Sequence, residues 1–228
     1  MSLAGSSDQP PAVGLTKDLI CLRAAKELKP RMYVNLGIGL PTQVANFAPD
    51  GVILHSENGV LNFGPIADED EMDWELVNAG AQPITLLPGI SFFHSADAFV
   101  MMRGRHLDMA ILGAYQVSET GDLANWRTEG EALGAIGGSM DLAYGAKRII
   151  VVCEHTNRNG KPRIVKKCTL PLTGKGVINT IITSLCLIEV TKAGLELREL
   201  APGVTANYVQ QHTEPKLIIS RDLKEMEF

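Results

Sequence analysis

Glu57 is the residue of this sequence whose type and position most directly suggest chemistry. It lies in His55-Ser56-Glu57-Asn58-Gly59, directly after the apolar run Val52-Ile53-Leu54. A carboxylate in such a place is costly to bury unless another group pairs with it. A buried Glu57 is therefore a candidate reactive group. The structural alternative is a solvated turn with Asn58-Gly59 at a hairpin corner, and the residues alone leave both interpretations open.

A second candidate segment is Asn35-Leu36-Gly37-Ile38-Gly39-Leu40-Pro41-Thr42, which leaves a predicted strand and enters a predicted helix. Gly37 and Gly39 allow backbone amides to approach a ligand closely, and the helix beginning near Pro41 adds a positive dipole end. The third glycine of the dinucleotide-binding fingerprint is missing. A tight turn that only connects two elements is the alternative.

A third candidate segment is the glycine-rich turn Gly134-Ala135-Ile136-Gly137-Gly138-Ser139-Met140-Asp141. Its backbone N–H groups, placed at the start of a helix, would have the geometry of an oxyanion hole. A flexible loop is the alternative for this segment.

The elements that must position these segments alternate between short apolar runs and longer helical patterns, which predicts an α/β fold. We expect an open, mostly parallel sheet with helices on both faces, because runs such as Ile149-Ile150-Val151-Val152 are typical of strands buried on two sides. An antiparallel edge is expected where two strands meet at Thr191-Lys192-Ala193-Gly194. The predicted strands are Met32–Leu36, Val52–Ser56, Ile84–Leu87, Met109–Leu112, Ile149–Cys153, Leu185–Val190, Leu195–Leu200 and Leu217–Ser220. The predicted helices are Lys17–Leu28, Pro41–Ala48, Ser95–Arg103, Met140–Tyr144, Lys175–Ser184 and Val204–Gln211.

Length, charge and composition exclude several classes of protein. The 228 residues predict a flexible leader over 1–15 and one domain over 16–228. A net charge of -5 gives no basic surface for nucleic acid, and no apolar run is long enough to cross a membrane, so we expect a cytoplasmic protein. The scattered cysteines predict reduced thiols and no metal site. They are Cys21, Cys153, Cys168 and Cys186.

The candidate segments, in this order, resemble the beta subunit of family I CoA-transferases, the group with succinyl-CoA:3-oxoacid, acetate–acetoacetate and 3-oxoadipate CoA-transferases. The similarity extends from about Thr16 to Ser220, and Ser56-Glu57-Asn58-Gly59 is its most specific part. Further matching segments are Val34 to Thr42, Val77-Asn78-Ala79-Gly80, Leu86 to Phe93, Leu123-Ala124-Asn125-Trp126, Gly137 to Leu142 and Lys167 to Lys175.

The resemblance implies a role for each candidate residue. Glu57 would be the nucleophile, ionised at neutral pH and needing no general base. The side chain of Asn35 and the backbone amide of Gly138 would donate to the oxyanion. The remaining glycines and Asn58 would contact the substrate or coenzyme A, namely Gly37, Gly39, Asn58, Gly59 and Gly137. Coenzyme A would be a substrate, with no permanently bound cofactor.

The resemblance also implies a partner, an alpha subunit in an A2B2 assembly, without which the chain would be inactive. The sequence departs from the family pattern at Asn62, at Arg127-Thr128-Glu129-Gly130-Glu131 and at Ala135-Ile136. Asn tolerates the left-handed backbone that a glycine there would adopt, so the turn at Asn62 can be kept. The other two changes affect the expected substrate preference and loop.

Three functions stay in view at this point. Exchange of coenzyme A between succinate and acetoacetate is the first expectation, with acetate, butyrate or 3-oxoadipate as alternative acids. A sugar-phosphate isomerase of similar architecture would need a proton-abstracting carboxylate and a phosphate loop. A non-catalytic ligand-binding module of the same fold would keep the partner interface and exchange no coenzyme A.

Overall fold

A computed structural model of the chain describes residues 14–128 and 136–228. Within these ranges the strands of the main sheet are β1 (Tyr33–Leu36), β2 (Ile53–Ser56), β3 (Val60–Ile66), β4 (Ile84–Phe92), β5 (Met109–Leu112), β8 (Arg148–Cys153), β10 (Thr180–Thr183), β11 (Cys186–Thr191), β12 (Gly194–Leu200) and β13 (Ile218–Glu225). A small second sheet contains β6 (Gln116–Ser118), β7 (Leu123–Ala124) and β9 (Ile164–Val165).

The centre of the main sheet is parallel and its flanks are antiparallel. The strand order is β13-β12-β11-β10-β8-β5-β1-β2-β3-β4. The run from β10 to β2 pairs in parallel, whereas β2-β3-β4 and β10-β11-β12 pair antiparallel. All four residues of both β5 and β10 are buried, as expected for strands covered on both faces. The predicted mostly parallel α/β sheet and its antiparallel β11–β12 edge are confirmed.

The helices begin where the sequence supplies capping groups. They are α1 (Lys17–Ala25), a 3₁₀ helix (Leu40–Phe47), α2 (Ser95–Arg103), α3 (Ser139–Gly145) and α4 (Ala206–Gln211). The Thr16 hydroxyl accepts from Leu19 N–H at 3.4 Å, and the Thr205 hydroxyl accepts from Tyr208 N–H at 3.2 Å. The helix predicted over Pro41–Ala48 is present as a 3₁₀ helix with proline in its first turn.

The helix predicted over Lys175–Ser184 is wrong. Residues 180–183 form β10, which lies between β8 and β11. Its sequence is Thr-Ile-Ile-Thr, and β-branched side chains of this kind lose rotamer freedom in a helix but pack well on a pleated sheet. Burial on both faces decides between the two structures in favour of the strand.

The buried apolar side chains form one continuous cluster beneath these elements. At its margin the buried α1 side chain of Arg23 makes two hydrogen bonds to Glu199, of 2.6 and 2.8 Å, and one to Glu27 of 3.0 Å. All four cysteines are free thiols. No helix within the described ranges is both long and apolar enough to span a bilayer.

Candidate active site

Glu57 lies in the turn of a β-hairpin. Strands β2 and β3 pair in the register His55 with Leu61 and Ser56 with Val60, so the three residues from Glu57 to Gly59 form the connection. The hairpin corner considered as the structural alternative is present. It is not simply solvated, however, because the Glu57 side chain is half-buried against another part of the chain.

Gly59 is required by the close packing of this turn. Its backbone has φ of +103°, and a Cβ atom there would lie 2.0 Å from the carbonyl oxygen of Phe93. The same two residues are joined by a hydrogen bond from Phe93 N–H to Gly59 O of 2.9 Å. The glycine therefore serves the seating of the hairpin on the chain that enters α2.

Two side chains tie the Glu57 turn to the segment Val77-Asn78-Ala79-Gly80. Asn58 Nδ2 donates to the carbonyl oxygen of Val77 at 2.7 Å, and Ser56 Oγ accepts from Ala79 N–H at 2.9 Å. The two motifs, about twenty residues apart in sequence, thus form one clamp around Glu57. Sequence reasoning noted both motifs but not this contact between them.

The Glu57 carboxylate faces the glycine pair at the start of α3. The backbone N–H of Gly138 donates to Glu57 Oε2 at 3.1 Å. A Cβ atom at Gly138 would lie 2.3 Å from that oxygen, and one at Gly137 would lie 3.3 Å from Oε1. Only residues without side chains at these positions let the carboxylate approach the backbone so closely.

Burial raises the pKa of Glu57 above its usual value. The Gly138 amide opposes this shift by stabilising the anion, and the nearby carboxylate of Asp141 adds to it. Asp141 itself pairs with Arg103 on α2. The result is a partly desolvated carboxylate that holds its charge less comfortably than one in water, which makes it a better nucleophile once ionised.

Asn35 lies beside this site, but its amide hydrogens point elsewhere. Strands β1 and β2 place Asn35 opposite His55, and Asn35 Nδ2 donates to His55 Nδ1 at 2.9 Å and to His55 O at 3.2 Å. Both residues are buried, with 2% and 0% of their surfaces exposed. The donor role expected for Asn35 would require one of these two hydrogen bonds to break.

Glu57 opens onto a cavity of about 890 Å³ at the carboxyl ends of β1, β5 and β8. Asn35, Gly37, Gly137 and Gly138 share its lining. Gly39, Asn58 and Gly59 do not. Asn58 and Gly59 secure the hairpin as described above, and Gly39, with φ of +91°, turns the chain into the 3₁₀ helix.

Gly37 lies in the cavity wall because it packs on the neighbouring strand. Its N–H donates to the carbonyl oxygen of Ile111 at 2.8 Å, and a Cβ atom there would lie 3.1 Å from the Leu112 side chain. The loop after β1 is thereby held flat against β5. A substrate can then lie along this wall.

Three cations also line the cavity, namely Lys17, Arg158 and Arg163. The half-buried Arg163 donates to two backbone carbonyl oxygens, those of Ala114 at 2.8 Å and Thr156 at 3.4 Å. None of the carboxylates in the described ranges forms an ion pair with it. This end of the cavity can therefore attract an anion.

The departures from the family pattern have different outcomes. Asn62 has φ of +64°, and its Nδ2 donates to the carbonyl oxygen of Pro88 at 3.0 Å. The expectation that Asn keeps this left-handed turn is confirmed. Ala135, residues 129–131 and residues 1–13 of the expected leader lie outside the described residues.

Comparison with known proteins identifies the family. Residues 20–212 match the family model described as Coenzyme A transferase, and the chain belongs to that family. It is 50% identical over 199 residues to the B subunit of a succinyl-CoA:3-ketoacid coenzyme A transferase from Helicobacter pylori, covering 87% of this chain and 96% of the relative. It is 46% identical over 207 residues to the B subunit of a 3-oxoadipate CoA-transferase from Acinetobacter baylyi, covering 90% and 95%.

A solved structure agrees with the fold. An acyl-CoA transferase apoenzyme from Escherichia coli O157:H7 superimposes with a TM-score of 0.74 at 20% identity. The match covers 96% of this chain and 44% of that one. The resemblance inferred from the sequence motifs is therefore confirmed at the level of family and fold.

Proposed function

We propose that this chain is the B subunit of a 3-oxoacid CoA-transferase that moves coenzyme A from succinyl-CoA to acetoacetate. The observation that carries the proposal is the half-buried Glu57 carboxylate, held by the Gly138 N–H in the wall of a large cavity. Its relatives are named for succinyl-CoA:3-ketoacid and 3-oxoadipate transfer, which supports the substrate class. Exchange with acetate, butyrate or 3-oxoadipate uses the same chemistry.

The first half-reaction makes two covalent intermediates on Glu57. A carboxylate oxygen attacks the thioester carbonyl of the acyl-CoA, the C–S bond breaks, and coenzyme A leaves as a thiolate. The product is a mixed anhydride. The thiolate then attacks the glutamyl carbonyl carbon and expels the donor acid as a carboxylate, leaving a glutamyl–CoA thioester.

The second half-reaction runs the same steps in reverse. The acceptor carboxylate attacks the glutamyl thioester, coenzyme A departs as a thiolate, and a new mixed anhydride forms. The thiolate attacks the carbonyl of the acceptor acyl group, and Glu57 is released as a carboxylate. No proton transfer or general base is required at any step.

The Gly138 N–H suits the steps that take place at the glutamyl carbon. When the thiolate adds to that carbon, one glutamyl oxygen becomes the oxyanion. An N–H already 3.1 Å from Oε2 needs little movement to stabilise it. One such preorganised donor is typically worth about 3 to 4 kcal/mol.

The cavity also suits coenzyme A as a transient substrate with no permanently bound cofactor. Lys17, Arg158 and Arg163 lie in its wall, and cations of this kind fit the phosphates of coenzyme A. We further propose that the chain works in the cytoplasm with an alpha subunit in an A2B2 assembly and is inactive alone. The partner is supported by its relatives, which are themselves B subunits of two-subunit transferases by name.

The proposal is tested by mixing the chain with its A subunit and following acetoacetyl-CoA formation from succinyl-CoA. We expect ping-pong kinetics and a fall in kcat of at least about 10⁴-fold for Glu57→Gln. Glu154→Gln is the matched control, since Glu154 lines the same cavity and has no part in the reaction. Full exchange by Glu57→Gln contradicts the mechanism. A wild-type complex that assembles and exchanges nothing indicates the non-catalytic module.

A further inference from the structure

His55 is a buried polar residue beside the cleft to which the proposed reaction assigns no part. It precedes Glu57 by two residues, is 0% exposed, and accepts a hydrogen bond from Asn35. A buried imidazole needs a reason to be there, because an apolar side chain would fill the same space without the cost of desolvating a polar ring. The contact with Asn35 supplies that reason.

The contact fixes the state of the imidazole ring. The Asn35 amide nitrogen is a donor only, so His55 Nδ1 must be the unprotonated acceptor and the ring hydrogen must be on Nε2. Burial lowers the pKa of His55 to about 4, opposed by the nearby backbone carbonyl of Ala98, so the ring is neutral at physiological pH. Nε2 makes no hydrogen bond within the described part of the chain.

The contact also fixes the orientation of the Asn35 amide. Rotating the amide by half a turn would place Oδ1 against the carbonyl oxygen of His55, which is 3.2 Å from Nδ2, and would bring two acceptors together. Both amide hydrogens therefore stay on His55. The polar group that Asn35 has left for the cavity it lines is its carbonyl oxygen, to which no described residue donates a hydrogen bond.

We infer that His55 positions Asn35 so that Asn35 Oδ1 accepts a hydrogen bond from an amide N–H of the acyl-CoA carrier arm. The inference rests on the proposed function. Coenzyme A carries a secondary amide two carbons from its sulfur, so an acceptor near the reacting thioester matches it. An acceptor repels an oxyanion, which leaves that charge to the Gly138 N–H.

The test uses the complex of this chain with its A subunit and two thioesters of the same acyl group. One is the N-acetylcysteamine thioester, which carries the amide N–H at the position found in coenzyme A. The other is its S-(2-acetoxyethyl) analogue, in which an ester oxygen replaces that N–H. We expect wild type to favour the amide compound about fivefold in kcat/KM, the effect of one net hydrogen bond.

Variants then separate positioning from structure. His55→Phe, which leaves Asn35 without its acceptor, should reduce the preference to about one. His55→Gln should keep most of it, because its side-chain oxygen can still accept from Asn35 Nδ2. Asn35→Ala should abolish it while changing kcat by only a few fold, and this variant decides the matter if His55→Phe does not fold.

Three results would overturn the inference. They are equal rates for the two thioesters in wild type, an unchanged preference in folded His55→Phe, and a fall in kcat of about 100-fold or more for both thioesters in Asn35→Ala. The last result would make Asn35 an oxyanion donor. Failure of the wild-type complex to exchange acyl-CoA with any acid is a different outcome and counts against the proposed function.

Discussion

Gly138→Ala is the substitution that most directly disturbs the placement of Glu57. The backbone at Gly138 has φ of -82° and ψ of 5°, so alanine is tolerated there without backbone strain. The added Cβ atom would lie 2.3 Å from Glu57 Oε2, whereas ordinary contact begins at 3.4 Å, so the carboxylate must retreat by about 1.1 Å. That movement also lengthens the hydrogen bond from the Gly138 N–H.

The expected cost follows from these two effects. A misplacement of 1 Å in a reacting group can lower a rate about 10²-fold, and loss of one oxyanion donor lowers kcat about 10²- to 10³-fold. We therefore predict a fall in kcat of about 10²- to 10³-fold, with the melting temperature nearly unchanged. Steady-state exchange of coenzyme A by the complex with the A subunit measures it.

Gly113→Ala is the steric control for this prediction. Gly113 also lies in the cavity wall, but the nearest atom to its added Cβ is Pro41 Cδ at 4.0 Å, so Glu57 is not displaced. We expect its kcat to stay within a few fold of wild type. If Gly138→Ala kept kcat within about threefold, the carboxylate would not work from the position described, and the reasoning would fail.

Three further predictions concern stability, each measured by urea or thermal unfolding. Because the folded-state pKa of Glu57 is raised above 4.5, its ionised form destabilises the fold. Glu57→Gln should therefore be more stable than wild type at pH 7, with the difference vanishing below about pH 4, where the carboxyl is protonated in both states. A less stable variant at pH 7 would contradict the burial. Gly59→Ala should lose at least about 2 kcal/mol, since its Cβ meets Phe93 O at positive φ, and a loss under about 1 kcal/mol would be evidence against this turn. Arg23→Ala should lose about 3 kcal/mol because Glu199 stays largely buried without its partner, and the double variant to methionine should recover most of this; equal losses would refute the ion-pair argument.

The parallel centre of the sheet was predictable from the sequence because local pattern and tertiary environment agree there. Strand β8, for example, is almost continuously apolar and buried on both faces. The same reasoning failed for β10, where a short stretch of Thr and Ile was assigned to a helix. It also missed β3, because Gly64 and Pro65 look like strand breakers; the sheet accommodates them with a register shift between Phe63 and Ile66.

The candidate site was predictable in its reactive residue but not in its supports. The motif around Glu57 marked the nucleophile, and the glycines before α3 marked its neighbour. The hydrogen bonds from Asn58 and Ala79 that clamp the turn join segments that only the folded chain brings together. The orientation of Asn35 depends on His55 across two parallel strands, and nothing in the spacing of the two residues shows it.

The central claim is that Glu57 becomes covalently linked to coenzyme A. It is tested most directly by incubating the complex of this chain and its A subunit with acetoacetyl-CoA, quenching, and measuring the peptides by mass spectrometry. We predict that the peptide containing Glu57 gains the mass of coenzyme A less one water, and that Glu57→Gln does not. An unmodified Glu57 peptide in a complex that is turning over, or coenzyme A attached to a different residue, would contradict this claim.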